Sequence, residues 1–373
     1  MRVAIIGVKG YPIVYGGFDT FVRELAERLV KRGVDVTIYC HSALFKEKPR
    51  RVNGIDLVYM PAIESKSLSQ ITHSFFSFIH ASAGKSDLLL VVNSANGPFG
   101  ILPKVAGKPT VINVDGLEWE RPKWKGFGAK YFYWASKMAT RFYDQLVNDA
   151  EAMREVYLEL FNRDSEVIAY GSTPEYSQRP EMIEQWGLKK DDYYVIVGRL
   201  IPDNNSDLII EGFLKSHSQR KLVIVGDVTY KDEYASRIKK MSETEERLVF
   251  TGFVKDRQTL AELFLNSYCY FHGHEYGGTN PTILQALGSG CAILALGTVF
   301  NKEVLQDGRY GILFEKQQQA VTELVNRVEA EPETVTDLKS KAREGLGQRY
   351  DWEHITDRYI EVFENLLKSK GKT

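Results

Sequence analysis

The most informative stretch of this chain is FHGHEYGGTNPTILQALGSGC, residues 271–291, which has the pattern of a strand end, a glycine loop and a helix. Asn280 precedes Pro281, whose ring disfavours a helical residue before it, so Asn280 is predicted to be the N-cap and Pro281 the first helical residue. The helix is predicted over residues 282–287 and ends at glycines. Free N–H groups at such a helix start favour an anion such as phosphate. The alternative is an ordinary turn between a strand and a helix.

Length and composition indicate a globular protein with more than one domain. The chain has 373 residues, of which 43% are hydrophobic and 26% are charged, and this length exceeds that of one typical core. The formal net charge of -1 provides no global field that would favour nucleic acid, so no nucleic-acid partner is expected. Cys40, Cys269 and Cys291 lie far apart without metal-ligand spacing, which is typical of a reducing compartment.

The chain start, MRVAIIGVKG, is predicted to be a strand and not a signal peptide, because its apolar run is short and ends at a glycine. The sequence contains no apolar stretch near the roughly 20 residues that a membrane-spanning helix needs. We therefore expect a cytoplasmic protein, with peripheral binding at the inner face of the membrane as an additional possibility that the aromatic segments below raise.

The first half alternates apolar runs with helical patterns. A buried strand at residues 3–6 leads into the glycine-rich loop GVKGYPIVYGG and then into a helix predicted from Asp19 to Lys31, with Asp19 as its N-cap. The loop lacks the GxGxxG pattern of a dinucleotide-binding fold, so NAD is not expected. This half is predicted to form an N-terminal domain over residues 1–170. Its further predicted strands are residues 34–39, 55–60, 88–92, 110–113, 146–148 and 166–169.

The second half repeats the alternation after a polar, proline-containing segment, residues 171–192, which is predicted to be a linker. The C-terminal domain is predicted over residues 193–350, and an amphipathic helix in residues 351–373 is expected to pack back on the body. The fold class predicted is α/β, with two Rossmann-like doubly wound domains that face each other across a cleft. The predicted strands of this half are residues 194–197, 222–225, 248–251, 268–271 and 292–295.

The order of motifs in the second half resembles the donor domain of the family 4 glycosyltransferases. VGRLIPDNN, residues 197–205, is similar to the family's Gly-Arg segment, and LVIVGD, residues 222–227, is similar to its strand followed by Gly-Asp. LVFTGFV, residues 248–254, resembles the strand and turn that hold the nucleotide base. Residues 271–291 occupy the place of the sugar-and-phosphate loop. YGGFDTFVRELA and DGLEWERPKW in the first half resemble bacterial rhamnosyltransferases of cell-wall and capsule synthesis.

The resemblance implies the GT-B architecture and a retaining transfer of a sugar, rhamnose in this subgroup, from a nucleoside-diphosphate donor. The acceptor implied is a saccharide or a lipid-linked saccharide bound by the first domain, and neither a metal nor another cofactor is implied. Two alternatives stay open. One is a nucleotide-sugar epimerase of the same architecture, and the other is a catalytically weak sugar-nucleotide-binding subunit.

Arg199 is the predicted diphosphate ligand and catalytic cation, because a guanidinium offers a fork of donors to phosphate and keeps its charge. A surface ion pair with Asp203 or Asp207 is the alternative. The donor-binding residues that the resemblance implies are Gly16, Gly17, Arg199, Asn204, Gly226, Phe253, His274, Gly277, Gly278, Thr279, Asn280 and Gln285.

Three positions depart from the family pattern. Asn204 stands near the usual lysine, and an ungapped match places Gly277 and Gln285 at the two usual glutamates, so the ribose contact loses its charge. Where the family often has a histidine after a first-domain strand, this chain has Asp115. Asp115 and Glu118 are candidate catalytic groups that would orient or deprotonate an acceptor hydroxyl, and the alternative for each is a solvated loop carboxylate.

Two further sequence patterns concern a metal site and a membrane surface. His272 and His274 flank Gly273, but two histidines without a carboxylate cluster do not predict a metal site, and at best one lines the donor pocket. Residues 119–143 interleave basic and aromatic side chains, and residues 68–79 carry three phenylalanines. Both segments suit an anionic membrane surface. An ordinary helix packed on its domain explains the first segment equally well.

Overall fold

The computed structural model divides the chain into two compact units, Met1–Gly171 with Asp351–Thr373, and Ser172–Tyr350. Both units are alternating α/β structures with parallel sheets, as the apolar runs predicted. The structure describes residues 1–12, 17–63, 69–114, 116–122, 124, 126–228 and 232–371, without the side chains of Ser242 and Thr244.

In the described part of the first unit, eight strands form one sheet in the order β3-β4-β2-β1-β5-β6-β7-β8. All neighbours are parallel except β3 and β4. The central strands are buried on both faces, which explains their continuous apolar sequences. The bounds are β1 Arg2–Ile6, β2 Asp35–His41, β3 Arg51–Val52, β4 Ile55–Met60, β5 Leu88–Val92, β6 Thr110–Asn113, β7 Gln145–Asn148 and β8 Glu166–Val167.

Helices cover this sheet with their apolar faces. The first helix begins at Gly17 and ends at Lys31, so Asp19 lies in its first turn, and the prediction of Asp19 as the N-cap was wrong. The cause is that the glycine preceding Phe18 already adopts helical backbone. The bounds are α1 Gly17–Lys31, α2 Ser69–Ala83, α3 Ile101–Val105, α4 Phe127–Phe142 and α5 Glu151–Phe161.

The helix α13, Trp352–Ser369, belongs to the first unit although the whole second unit precedes it in the sequence. Its apolar face includes Tyr359, whose ring lies 5.5 Å from the ring of Phe21 on α1. The buried amide of Asn113, at the end of β6, donates a hydrogen bond to the Tyr359 hydroxyl at 3.0 Å. The apolar face of α13 therefore packs against the first sheet and α1.

In the second unit, six strands of the described residues form a parallel sheet in the order β11-β10-β9-β12-β13-β14. The short last strand was not predicted, because three residues are too few to show a pattern. The bounds are β9 Tyr193–Val197, β10 Lys221–Val225, β11 Leu248–Gly252, β12 Cys269–His272, β13 Ile293–Leu296 and β14 Ile312–Phe314.

Seven helices of the described residues belong to the second unit, and α11 packs on α6 beside the sheet. Across the described residues of the whole chain, every helix is too short or too polar to cross a membrane. The bounds are α6 Ser206–Leu214, α7 Glu233–Thr244, α8 Arg257–Leu265, α9 Pro281–Gly288, α10 Val299–Val304, α11 Gln318–Ala330 and α12 Pro332–Lys341.

The segment predicted to be a linker, residues 171–192, lies in the second unit except for its first residue. It contains a 3-10 helix, Pro180–Trp186. The carboxylate of Glu262 on α8 accepts hydrogen bonds from the Ser177 hydroxyl and the Gln178 and Arg179 amides, at 2.6–2.8 Å. The buried Glu262 side chain thus anchors part of a polar segment whose composition predicted a linker.

In each sheet the direction of chain progression reverses once. The reversal lies between β1 and β5 in the first unit and between β9 and β12 in the second. At such a point the loops that leave the carboxyl ends of the two strands diverge, and a crevice forms between them. The second of these crevices contains most of the predicted donor-binding residues.

Candidate functional site

Two loops meet at the crevice of the second unit. The β9 loop, residues 198–205, and the β12 loop, residues 273–280, follow adjacent parallel strands. The Asn205 side-chain amide donates to the Gly273 carbonyl at 2.9 Å, and the Glu275 backbone amide donates to the Asp203 carbonyl at 3.0 Å. His274 Nδ1 lies 2.8 Å from Asn204 Oδ1. These ties between the loops give the site a defined backbone geometry.

Close backbone contacts explain why glycines follow these strands. A Cβ on Gly226, which has φ of +134° at the end of β10, would lie 1.8 Å from the Gly198 carbonyl oxygen. A Cβ on Gly273 would lie 2.2 Å from the Asn204 carbonyl oxygen. Any other residue at these positions would push the loops apart.

Arg199 is exposed at the start of the β9 loop. Within the described residues its guanidinium has no ion-pair or hydrogen-bond partner, whereas its carbonyl accepts from the Asn204 side chain at 2.7 Å. The surface ion pair that was the alternative is not formed there. Asp207 instead accepts from Tyr234 and Arg237, and Asp203 is buried. Arg199 is therefore a cation available to a ligand.

Asn280 is the N-cap of α9, and Pro281 is its first residue, as predicted. The Asn280 Oδ1 accepts from the Thr282 amide at 2.9 Å, and the Asn280 carbonyl accepts from the Ile283 amide at 3.2 Å. Since proline has no N–H, the first turn has no amide left over. The Thr282 and Ile283 amides are thus used, and the predicted free N–H groups of the helix start lie before Pro281.

The amides that could bind an anion lie in the loop just before the helix. Among the described residues, the N–H groups of Gly277, Gly278 and Asn280 meet no hydrogen-bond acceptor. Gly277 has φ of +98°, a backbone conformation that side-chain-bearing residues rarely adopt. Successive amides in such a turn, next to the positive end of a helix, form an anion-binding concavity.

The other predicted donor-binding residues of this unit lie along the same carboxyl edge of the sheet. Phe253 follows β11 and has 70% of its surface exposed, an unusual position for a large aromatic side chain. Gln285 is half-buried on the second turn of α9, and Thr279 is buried in the loop. The structure thus brings to one edge residues that are separated by up to about a quarter of the chain.

The two histidines differ in environment. His272, at the end of β12, is 2% exposed, and burial lowers its pKa to about 3, so it is neutral at physiological pH. His274 is half-buried and contacts Asn204 of the β9 loop. The described residues include no group of three or more His, Cys, Asp or Glu side chains placed to hold a metal ion.

Of the four predicted site residues in the first unit, the structure describes two. Gly16 and Asp115 lie outside the described residues, and Gly17 is the exposed first residue of α1. Glu118 Oε1 lies 2.9 Å from Arg121 Nε, and Glu118 Oε2 accepts from Trp124 Nε1 at 2.7 Å. Both carboxylate oxygens therefore hold the segment after β6 together, a structural role that the sequence pattern did not reveal.

The basic aromatic segment divides into an inner and an outer face. Phe132 is buried with its ring centroid 4.9 Å from that of Trp124, and Tyr131 donates to the Ala95 carbonyl. Phe127 and Trp134 point outward, 84% and 47% exposed. Lys123 and Lys125 lie outside the described residues, as does Leu68 of the second candidate segment, in which Phe75 and Phe76 are exposed.

Sequence reasoning missed two residues that tie the crevice loops together. Asn205 and Glu275 form a side-chain hydrogen bond at 3.2 Å, and Lys316 makes an ion pair with Glu275 at 2.6 Å. Asn205 also has φ of +49°, which asparagine tolerates better than most residues. The available signal was the Asn-Asn pair at the end of the Gly-Arg segment.

Two family models together match almost the whole chain. Residues 178–345 match the family model Glycosyl transferases group 1, and residues 1–173 match a Domain of unknown function, DUF1972. Alpha-maltose-1-phosphate synthase of Mycolicibacterium smegmatis is 22% identical over 98% of this chain and 100% of its own length.

Solved structures resemble the chain over nearly its full length. HepE of Anabaena in complex with UDP superimposes with a TM-score of 0.78 and 17% identity, covering 98% of this chain and 100% of HepE. Sucrose-phosphate synthase of Thermosynechococcus elongatus gives a TM-score of 0.81 with 16% identity and covers 99% of both chains. These matches confirm the predicted fold class, a two-domain α/β structure with parallel sheets.

Proposed function

Because residues 178–345 match the family model Glycosyl transferases group 1, in a chain of GT-B fold, we propose that the protein is a retaining glycosyltransferase. It moves rhamnose from dTDP-rhamnose to a saccharide or lipid-linked saccharide. The second unit binds the donor and the first unit binds the acceptor. The first-half segments YGGFDTFVRELA and DGLEWERPKW, which resemble rhamnosyltransferases, support this choice of sugar.

The observation that carries the proposal is the pairing of a cation with unused amides at one crevice. Arg199 projects from the β9 loop without a partner among the described residues, and the amides of Gly277, Gly278 and Asn280 are unused in the adjoining β12 loop. A guanidinium and several N–H groups together recognise an extended anion with many acceptor oxygens. A nucleoside diphosphate has this chemistry.

The neighbouring side chains fit the rest of a nucleotide sugar. An exposed aromatic ring at the end of β11, that of Phe253, offers a face on which a base can stack. The Gln285 amide on α9 can donate to and accept from hydroxyls without adding charge. A structurally similar protein, HepE, was solved with UDP and with UDP-glucose, which supports a nucleoside-diphosphate donor here.

In the proposed reaction, negative charge grows on the leaving diphosphate while the sugar becomes oxocarbenium-like. Arg199 and the loop amides would stabilise that charge, and the ties between the loops fix the backbone that carries these donors before reaction. Preorganised donors are effective because they need little rearrangement as charge develops. We propose that no divalent metal is required, since the cleft-edge loops carry no Asp-x-Asp motif.

We also propose that the outer face of α4 touches an anionic membrane surface, where a lipid-linked acceptor would lie. Phe127 and Trp134 project outward, and Lys130 is exposed on the same helix. Aromatic rings with adjacent cations suit the headgroup region of such a membrane.

The test is a panel of nucleotide sugars, incubated with and without a lipid-linked saccharide acceptor and with EDTA as a further arm. We expect acceptor-dependent release of dTDP from dTDP-rhamnose, a product with retained anomeric configuration, and no loss of rate in EDTA. Conversion of the donor without acceptor would instead show an epimerase. Binding without any turnover would show a sugar-nucleotide-binding subunit.

A further inference from the structure

A chain of hydrogen bonds links β12 to the cap of α9. His272 Nδ1 lies 2.8 Å from the Tyr270 hydroxyl, which lies 3.1 Å from the Thr282 hydroxyl. The Thr282 hydroxyl lies 2.7 Å from Asn280 Oδ1. This relay of four side chains crosses from the end of a strand to the loop that carries the unused amides.

The donors and acceptors in this relay can be assigned from the acceptor at its end. Asn280 Oδ1 already accepts the Thr282 backbone amide, so it is the oxygen of the side chain and can only accept. The Thr282 hydroxyl therefore donates to it, and the Tyr270 hydroxyl donates to Thr282. Since Tyr270 has one proton to give, it must accept from His272 Nδ1–H.

The state of His272 is consistent with this order. Burial keeps the imidazole neutral, so it carries a single ring proton. With that proton on Nδ1, Nε2 is an acceptor, and among the described residues it has no hydrogen-bond partner. A buried nitrogen without a partner costs free energy, which the rest of the relay offsets.

We propose that His272 and Tyr270 are positioning residues for the donor diphosphate. Through Thr282 they hold the Asn280 side chain, and this fixes the backbone whose free amides precede α9. The inference rests on the proposed function, because it assigns those amides to the diphosphate. Neither side chain needs to touch the ligand.

The test compares two buried tyrosines in the same unit. Tyr270→Phe removes the relay, whereas Tyr193→Phe removes a hydrogen bond to the Leu263 carbonyl, 2.8 Å long and remote from the loop. We expect Tyr270→Phe to weaken dTDP binding about tenfold in calorimetric titration, as loss of one hydrogen bond would. We expect Tyr193→Phe to change it less than about twofold, and dTMP binding to change little in either variant.

Conservative variants separate positioning from general destabilisation. Thr282→Ser keeps the hydroxyl and should bind dTDP like the wild type, while Thr282→Val should resemble Tyr270→Phe. His272→Asn keeps a donor near the Nδ1 position and should bind better than His272→Phe.

Equal dTDP affinities in Tyr270→Phe and Tyr193→Phe, with both variants folded, would overturn the inference and leave the proposed function intact. A wild-type protein that bound neither dTDP nor UDP would instead overturn the proposed function.

Discussion

The strand order of each sheet reverses once, but the two units differ in the chemistry at the start of the helix beside the crevice. In the first unit, α1 carries Asp19 in its first turn, and the Asp19 carboxylate accepts the Lys9 amide at 3.4 Å. In the second unit, α9 is capped by the neutral Asn280, and the amides of Gly277, Gly278 and Asn280 are unused among the described residues. The start of α1 thus carries an acidic side chain, whereas the start of α9 combines a neutral cap with amides that lack an acceptor among the described residues.

The comparison shows that the strand order of a sheet produces a crevice but does not determine which ligand binds in it. Both sheets reverse direction once, so both place loops at a crevice. The second places an available cation, Arg199, beside amides that need an acceptor.

The largest effect is expected for the glycines that both units need. A Cβ on Gly7 would lie 2.3 Å from the Val92 carbonyl oxygen, and one on Gly226 would lie 1.8 Å from that of Gly198. Either alanine variant should lose about 3 kcal/mol of unfolding free energy, because backbone strain and overlap add. Gly107→Ala, with positive φ and open space, is the matched control and should lose about 1 kcal/mol.

Urea denaturation measures these losses. If Gly226→Ala were no less stable than Gly107→Ala, the close backbone contact beside the crevice would not be a requirement of the fold.

The next largest effect concerns Arg199, the cation at the crevice of the second unit. Arg199→Ala should lower kcat/KM about a hundredfold, as removal of a preorganised charge-stabilising donor does. Transfer kinetics measure it, with Arg179→Ala as the control, since that arginine forms an exposed ion pair with Glu181 in the same unit. Unchanged turnover in Arg199→Ala would remove this residue from the reaction.

A smaller effect on diphosphate binding is expected when an acidic residue is placed at the start of α9, as at the start of α1. Asn280→Asp gives α9 an acid like that of α1, and both residues cap helices well, so stability should change by less than about 0.5 kcal/mol. Diphosphate affinity should nevertheless fall about tenfold, because the new carboxylate repels the ligand.

Asp19→Asn is the mirror variant in the first unit. It should cost up to about 1 kcal/mol of stability, through the lost interaction with the helix dipole, and leave diphosphate binding unchanged. Titration calorimetry and denaturation of both variants measure these effects. A fall in diphosphate affinity for Asp19→Asn alone would reverse the comparison of the two units.

The smallest effect concerns the outer face of α4 in the first unit. Lys130→Ala should weaken flotation with anionic vesicles about fivefold, since each basic residue near such a surface contributes about 1 kcal/mol. Lys190→Ala, an exposed lysine of the second unit, is the control and should float like the wild type. If both variants floated equally well, Lys130 on the outer face of α4 would not contribute to membrane binding.

Much of the fold could be predicted from the sequence because its signals are local. The α9 helix begins and ends within one residue of the predicted bounds, since a cap, a proline and terminal glycines lie next to each other in the chain. The buried parallel strands were predicted from continuous apolar runs. The motif order also placed Arg199 in the β9 loop and Gly277 in the β12 loop.

Other features depend on distant partners and had no local signal. The segment 171–192 was predicted to be a linker, but Glu262 on α8 holds part of it by three hydrogen bonds. The role of Glu118 follows from Arg121 and Trp124, which its side chain could reach only once the turn had formed. Which amides stay free could be counted only with every acceptor in place.

Local order and residue chemistry were therefore present in the chain itself: two series of buried strands, a capped helix, and a cation and glycines at strand ends. The convergence of these residues depended on the sheet order, because the adjacency of β9 and β12 brings together loops about 70 residues apart, as in the 2.9 Å bond from Asn205 to Gly273. Only the folded structure shows which backbone amides have a hydrogen-bond acceptor. The acceptor of an amide can lie far away in the sequence, so the sequence does not identify it.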